Sequence, residues 1–199
     1  MKPSTISTLV LVIITFFSSQ VAAGYPVHIT PFVGYTFSGD VTDENGINIQ
    51  PENDLHFALS VETDVDPGRV GLFISHLQTE TQDFKNDTSF TYLHFQSSLR
   101  FEPIPKIYTY FGASLGGTFL DADWSDNSLL FSAGLFGGAE YKLHKNAKIV
   151  FETRWLANFL DSNTSSICTL PTGDETCKIH VDSKILSQFQ TNLGLSFTF

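Results

Sequence analysis

The stretch AKIVFETRWLANFL, residues 147–160, decides the fold. Ile149, Phe151, Thr153, Trp155, Ala157 and Phe159 alternate with Val150, Glu152, Arg154, Leu156 and Asn158. An extended chain points successive side chains to opposite faces, so this strand has one largely apolar face and one carrying two opposite charges. A soluble sandwich or barrel would turn the apolar face inward and the charges to water. In a barrel set in lipid the polarity inverts: a mid-strand charge against lipid costs about 2–4 kcal/mol, so Glu152 and Arg154 are expected to point into the lumen.

The same alternation recurs through the chain, and helical periodicity does not. Eight strands are predicted at roughly 27–39, 53–63, 69–80, 88–101, 107–119, 128–143, 147–160 and 186–199. Most are long enough to cross a bilayer at a tilt. Leu55, Phe57, Leu59 and Val61 oppose His56, Ala58, Ser60 and Glu62; Leu93, Phe95, Leu99 and Phe101 oppose Tyr92, His94, Gln96, Ser98 and Arg100. Ile107, Phe111, Ala113, Leu115 and Phe119 oppose Tyr108, Tyr110, Gly112, Ser114 and Gly116, and the sixth strand sets Leu129, Phe131, Leu135, Tyr141 and Leu143 against Gly134, Gly138, Glu140 and Lys142. The third strand, RVGLFISHL, is apolar on both faces and fits least well. Nineteen Phe suit a lipid-facing band with aromatic girdles, for which Tyr35, Phe37, Phe101, Phe119, Tyr141 and Phe159 are candidates.

The connections alternate in length. DVDPG (64–68), EPIPK (102–106) and HKNA (144–147) are short turns, whereas 40–52, 81–87, 120–127 and 161–185 are long, polar and rich in Asp and Glu. Arg69, Arg100, Lys106, Lys142, Lys145 and Lys148 gather near the short turns instead. An even number of antiparallel strands with short turns at one end and long loops at the other is the layout of bacterial outer-membrane barrels. The predicted class is all-β: an eight-stranded antiparallel up-and-down transmembrane β-barrel.

Residues 1–23 read as a secretory signal peptide: Lys2, an apolar run from Leu9 to Phe17, then small residues to Ala23. The mature domain is expected to be 24–199. A formal charge of −10 leaves nucleic-acid binding without electrostatic footing. Cys168 and Cys177 are close in sequence, and in an exported chain they are expected to form a local disulfide rather than a metal site. The segment DADWSDNS (121–128) has acidic and hydroxyl groups in alternation but lacks the Gly and terminal Glu of a calcium loop. No metal and no cofactor are expected.

The chain closes on TNLGLSFTF, residues 191–199, with Leu193, Leu195, Phe197 and Phe199 on one face. With these features, residues 24–199 resemble the small eight-stranded outer-membrane barrels of Gram-negative bacteria, the OmpA/OmpX/OmpW-like superfamily. The resemblance implies an outer-membrane location, contact with outer-membrane lipids and lipopolysaccharide, and a monomer. It also implies that Leu193, Leu195, Phe197 and Phe199 form the insertion signal read by the barrel-assembly machinery.

For chemistry, the inward charges are the material at hand. Glu62, His94, Arg100, Glu140, Lys142, Glu152 and Arg154 are expected to form a lumenal polar network, since eight strands leave an interior just wide enough for side chains to fill. The expected role is non-enzymatic, structural or surface-interacting through acidic extracellular loops. A narrow pore for small solutes or ions is the alternative, and a lipid A-modifying enzyme a further one. An enzyme would need a nucleophile beside a base. Ser75 and His76 with Glu80, or His180 with Asp182 and Ser183, are the candidates, but Ser75 and His76 are adjacent on a strand and should face opposite ways.

Overall fold

A computed structural model describes residues 25–39, 41–42, 48–49, 52–80, 87–122, 129–159, 168–170, 173–175 and 185–199. The signal-peptide assignment lies outside these residues, as do Cys177, residues 123–128 and residues 181–184.

Eight long strands form one closed sheet: β1 (Val27–Ser38), β2 (Asp54–Val65), β3 (Gly68–Glu80), β4 (Asp87–Ile104), β5 (Ile107–Ala122), β6 (Leu129–His144), β7 (Ala147–Phe159) and β8 (Ile185–Thr198). Each pairs antiparallel with its sequence neighbours, and β1 pairs with β8 to close the barrel. Val33 sits opposite Leu193 and Ile29 opposite Phe197. The seam ends in a reciprocal pair, Val27 N–H to Phe199 O at 3.1 Å and Phe199 N–H to Val27 O at 2.9 Å. Closure removes every edge, which lipid requires because it cannot satisfy an unpaired backbone group. Two short ribbons lie outside the barrel, Val41–Thr42 with Asn48–Ile49 and Cys168–Leu170 with Gly173–Glu175.

The barrel is staggered as well as closed. A path perpendicular to the strands runs from Ile29 through Val61, Leu72, Phe95, Leu115, Ala133, Ala157 and Ser187. It meets β1 again at Gly39, whose N–H bonds Ser187 O, ten residues beyond the start. A shear of this kind forces the strands to tilt, by roughly 35–45° in closed barrels.

The short turns are tighter than the sequence suggests. The connections there shrink to Asp66–Pro67, Pro105–Lys106 and Lys145–Asn146, and Glu102–Ile104 belong to β4. The register slips between Phe101 and Ile104, and this irregularity accommodates Pro103, which has no N–H to offer the ladder. Lys106 takes φ 73° in its two-residue turn, while its N–H reaches Glu102 Oε1 at 3.2 Å.

Burial alternates residue by residue along the strands. Phe57 is 70 % exposed, Leu115 59 % and Phe131 58 %, whereas Arg154, His94 and His56 are fully buried. This is the inverted polarity of a barrel made for lipid. Tyr35, Phe37, Phe101, Phe119, Tyr141 and Phe159 all face outward. Phe131 packs on Phe159 with ring centroids 5.6 Å apart toward the loop end, and Phe101 stacks on Phe111 at 5.9 Å toward the turn end.

The interior is less polar than the strand pattern suggests. Leu77, Phe90, Tyr92, Leu120, Leu130, Leu156 and Leu186 make a buried apolar cluster inside the loop-side end. Phe32, Ala58, Phe73 and Val150 make a second cluster, with Tyr110 packed against it. These clusters explain β3: Phe73 and Leu77 face the lumen, so both of its faces are apolar.

Candidate lumenal site

Inward side chains meet in three tiers, and each tier is fixed by strand parity. At the turn end, Arg69 of β3 crosses the lumen to Glu140 of β6, Nη1 to Oε1 at 2.5 Å. Its Nε also donates to Asp64 Oδ1 at 3.0 Å. Glu140 Oε2 receives Arg100 Nη2 at 2.6 Å and Lys148 Nζ at 3.4 Å, so one carboxylate that is 3 % exposed gathers three cations. A charge held this far from water is stable only when paired and hydrogen-bonded. His28 bridges Asp64 Oδ1 and Thr198 Oγ1, each at 2.9 Å, and so ties the first and last strands into the cluster. Arg100 lies over the Tyr108 ring, 3.9 Å from its centroid.

The middle tier is built on Arg154. Its guanidinium is fully buried between the rings of Phe73 and Phe136, 3.7 and 4.3 Å from their centroids. Nε and Nη2 donate to Glu152 Oε1 at 3.1 and 2.9 Å, Nη2 to Gln96 Oε1 at 2.8 Å, and Nη1 to Ser114 Oγ at 3.3 Å. Glu152 Oε2 accepts the Tyr110 hydroxyl at 3.0 Å. Gln96 passes the network downward, donating to Glu62 Oε1 at 2.9 Å, and Glu62 lies 4.0 Å from Arg69. Beside this tier His56 joins Thr36 at 2.8 Å and Asn192 at 2.7 Å.

Toward the loops the network becomes neutral. His94 Nδ1 meets Ser114 Oγ at 3.0 Å and its Nε2 meets Ser132 Oγ at 2.6 Å. Thr118 donates to Asn158 Oδ1 at 2.7 Å, Asn158 Nδ2 to the Tyr92 hydroxyl at 3.0 Å, and Tyr92 to Gln188 Oε1 at 2.6 Å. The apolar cluster around Leu77, Phe90 and Leu156 surrounds this last segment.

Of the residues picked out from sequence, Glu62, His94, Arg100, Glu140, Glu152 and Arg154 lie in this one network. Lys142 does not join it. It shares the parity of Glu140 but sits next to the turn at 145–146, beside a register irregularity between Lys142 and His144. It is half-exposed there and forms no ion pair among the described residues. Arg69 and Lys148, absent from the sequence-derived set, take part instead. Lys148 carries the parity of Glu152 and Arg154, which was a usable signal. Arg69 was hidden by the two-faced apolarity of β3.

Among the described residues no group of three metal-ligating side chains comes together. Ser75 is fully buried in the lumen and Gln190 Nε2 reaches its Oγ at 3.5 Å, whereas His76 is exposed on the outer face. The two therefore form no dyad. The candidates His180, Asp182 and Ser183 lie outside the described residues, and so does Cys177, the expected partner of Cys168.

No family model matches the sequence, and no curated protein matches it. Solved structures do. Neisserial surface protein A (NspA) superposes with a TM-score of 0.58 at 13% identity, over 89% of this chain and 98% of that one. Outer-membrane protein AlkL, solved in DMPC lipid bilayers, gives 0.53 at 17% identity over 89% and 93%. Outer-membrane protein H (OprH) from P. aeruginosa, in DHPC micelles, gives 0.50 at 18% identity over 86% and 99%. In its fold, therefore, this chain is a closed eight-stranded antiparallel β-barrel similar to those of these membrane proteins.

Proposed function

We propose that the protein is a non-enzymatic outer-membrane barrel with a closed lumen, acting through its outer surface and its acidic loops in a structural or surface-interaction role. The observation that carries this reading is the filling of the interior. Arg154, Phe73, His56, His94, Gln96, Tyr92, Leu77, Phe90, Leu156 and Gln188 are each less than 2 % exposed, over successive tiers of the barrel. A solute would have to displace an apolar cluster and break buried ion pairs in series.

Export through a cleaved signal, insertion by the barrel-assembly machinery through Leu193, Leu195, Phe197 and Phe199, and a monomeric state in outer-membrane lipid and lipopolysaccharide belong to the same reading. The acidic composition of the longer loops supports a role facing outward from the cell. The opposed orientations of Ser75 and His76 weigh against catalysis.

A narrow ion pathway is the second reading. It is favoured by the continuity of the polar network from His28 through Glu62, Gln96, Arg154 and His94 to Gln188. Planar-bilayer recording on the refolded chain separates the two. The closed barrel predicts no unitary conductance; a conductance that Arg154→Gln or Glu152→Gln changes would replace it with the pore.

A further inference from the structure

On β3 and β4 the outward apolar face gives way to a cluster of polar side chains. On the outer face, the row that runs from Phe57 of β2 to Phe119 of β5 passes through His76 of β3 and Thr91 of β4. The row below holds Ile74 opposite Leu93, and the row above holds Gln78 opposite Ser89, followed by Asp121. His76, Thr91, Gln78 and Ser89 thus form a polar block whose lower row is flanked by Phe57 and Phe119, with Ile74 and Leu93 beneath it and Asp121 beside its upper row. His76 and Gln78 are exposed, and Thr91 and Ser89 half-buried.

Three other outward hydroxyls are satisfied by backbone carbonyls, whereas Ser97 on β4 is exposed with no side-chain hydrogen bond among the described residues. Thr63, Thr153 and Thr191 donate back to the carbonyls of Pro26, Gly137 and Tyr35, at 3.2, 3.4 and 3.4 Å. A hydroxyl bonded to its own ladder presents no unmet polar group to acyl chains. The polar block differs. Thr91 Oγ1 meets His76 Nδ1 at 2.9 Å, and His76 Nε2 has no partner among the described residues. An imidazole nitrogen and a carboxamide would be left unsatisfied against hydrocarbon. They lie on the loop-ward half of the outer face, where the headgroups of a leaflet would meet it.

We infer that His76, Thr91, Gln78 and Ser89 form a docking site for the sugar hydroxyls of a glycolipid in the leaflet at the loop end. The inference rests on the membrane-barrel reading above. The chemistry selects the headgroup class. The four side chains offer neutral donors and acceptors, which match hydroxyls. None of the adjoining outward positions, Phe57, Ile74, Leu93, Phe119 and Asp121, carries a cation to hold phosphate, and the exposed Asp121 repels it.

The test uses the full chain refolded into phosphatidylethanolamine/phosphatidylglycerol vesicles containing small equal amounts of glucosyl-diacylglycerol and phosphatidylcholine. Native mass spectrometry then reads the lipids that stay bound. The wild type should retain the glucosyl lipid over phosphatidylcholine. His76→Leu/Thr91→Val, which extends the apolar band, should lower that preference about tenfold, the loss of one or two hydrogen bonds. Thr153→Val, outside the block, should leave it unchanged. Equal retention by wild type and double variant, or a wild-type dimer abolished by the double variant, would overturn the site and assign the block to water or to a second copy. Failure of the wild type to insert, seen as no heat-modifiable gel shift, would instead bring down the membrane-barrel reading and the site with it.

Discussion

Replacing Arg154 by Met tests the lumenal network where it is tightest. The substitution removes two donors to Glu152, one to Gln96 and one to Ser114, and withdraws a cation from between Phe73 and Phe136. Glu152, 3 % exposed, then keeps the Tyr110 hydroxyl at 3.0 Å as its one remaining donor among the described residues. Breaking one side of a buried pair costs about 3–5 kcal/mol, mostly from the charge left behind. The Met side chain fills much of the same volume between the rings, so the packing loss is the smaller part. If this is the origin of the cost, removing the stranded charge must repair it: Glu152→Gln/Arg154→Met should recover most of the loss, because replacing both members of a buried pair is often neutral or stabilising. The assay is reversible urea unfolding in phospholipid vesicles, followed by tryptophan fluorescence, with the folded fraction checked by gel shift. A single variant within 1 kcal/mol of wild type, by the order of magnitude of an exposed pair, would refute the reasoning, and so would a double variant less stable than the single one.

Further outcomes follow from the wall and the seam. Leu115→Arg, in the middle of the lipid-facing band, should cost about 2–4 kcal/mol in the same assay, against about 0–1 for an arginine placed near the interface. Deleting Phe199 removes the last backbone rung to Val27 and the final apolar group of the seam, and replacing it with Asp keeps the rung but puts a charge in place of that group. Surface levels in cells, read by immunoblot of the outer-membrane fraction, should then fall far more than after any single change in the 161–185 loop. Gly116→Ala should fail to fold: a Cβ there would overlap the Leu93 carbonyl oxygen and meet His94 Cα and Cδ2 at 2.7 Å, so the backbone of β4 would have to move. Leu156→Ala, in the loop-side apolar cluster, should cost about 2–5 kcal/mol through the cavity it leaves.

The strands and their faces were legible because they depend on chain geometry alone. A period of two is a property of every extended segment, so Glu152 and Arg154 declare their face from the alternating residues of their own strand without knowledge of any partner. The closing strand was legible for the same reason, since Leu193, Leu195 and Phe197 keep that period to the end. β3 was ambiguous because Phe73 and Leu77 face inward for a purpose that no local pattern encodes: one lies on the Arg154 guanidinium and the other fills the apolar cluster beneath the loops.

By itself the sequence determined that the chain forms an eight-stranded barrel with its apolar face outward, and that charged side chains point into its interior. It could not determine which charges meet. Arg69 and Glu140 are 71 residues apart and on strands that never pair, yet they form the tightest tie across the lumen. Lys148 joins them, and Lys142 stays out. These choices belong to the tertiary structure, because a partner across the lumen is set by the stagger accumulated around the whole closed sheet and by the width of the interior. Neither quantity exists in any one strand.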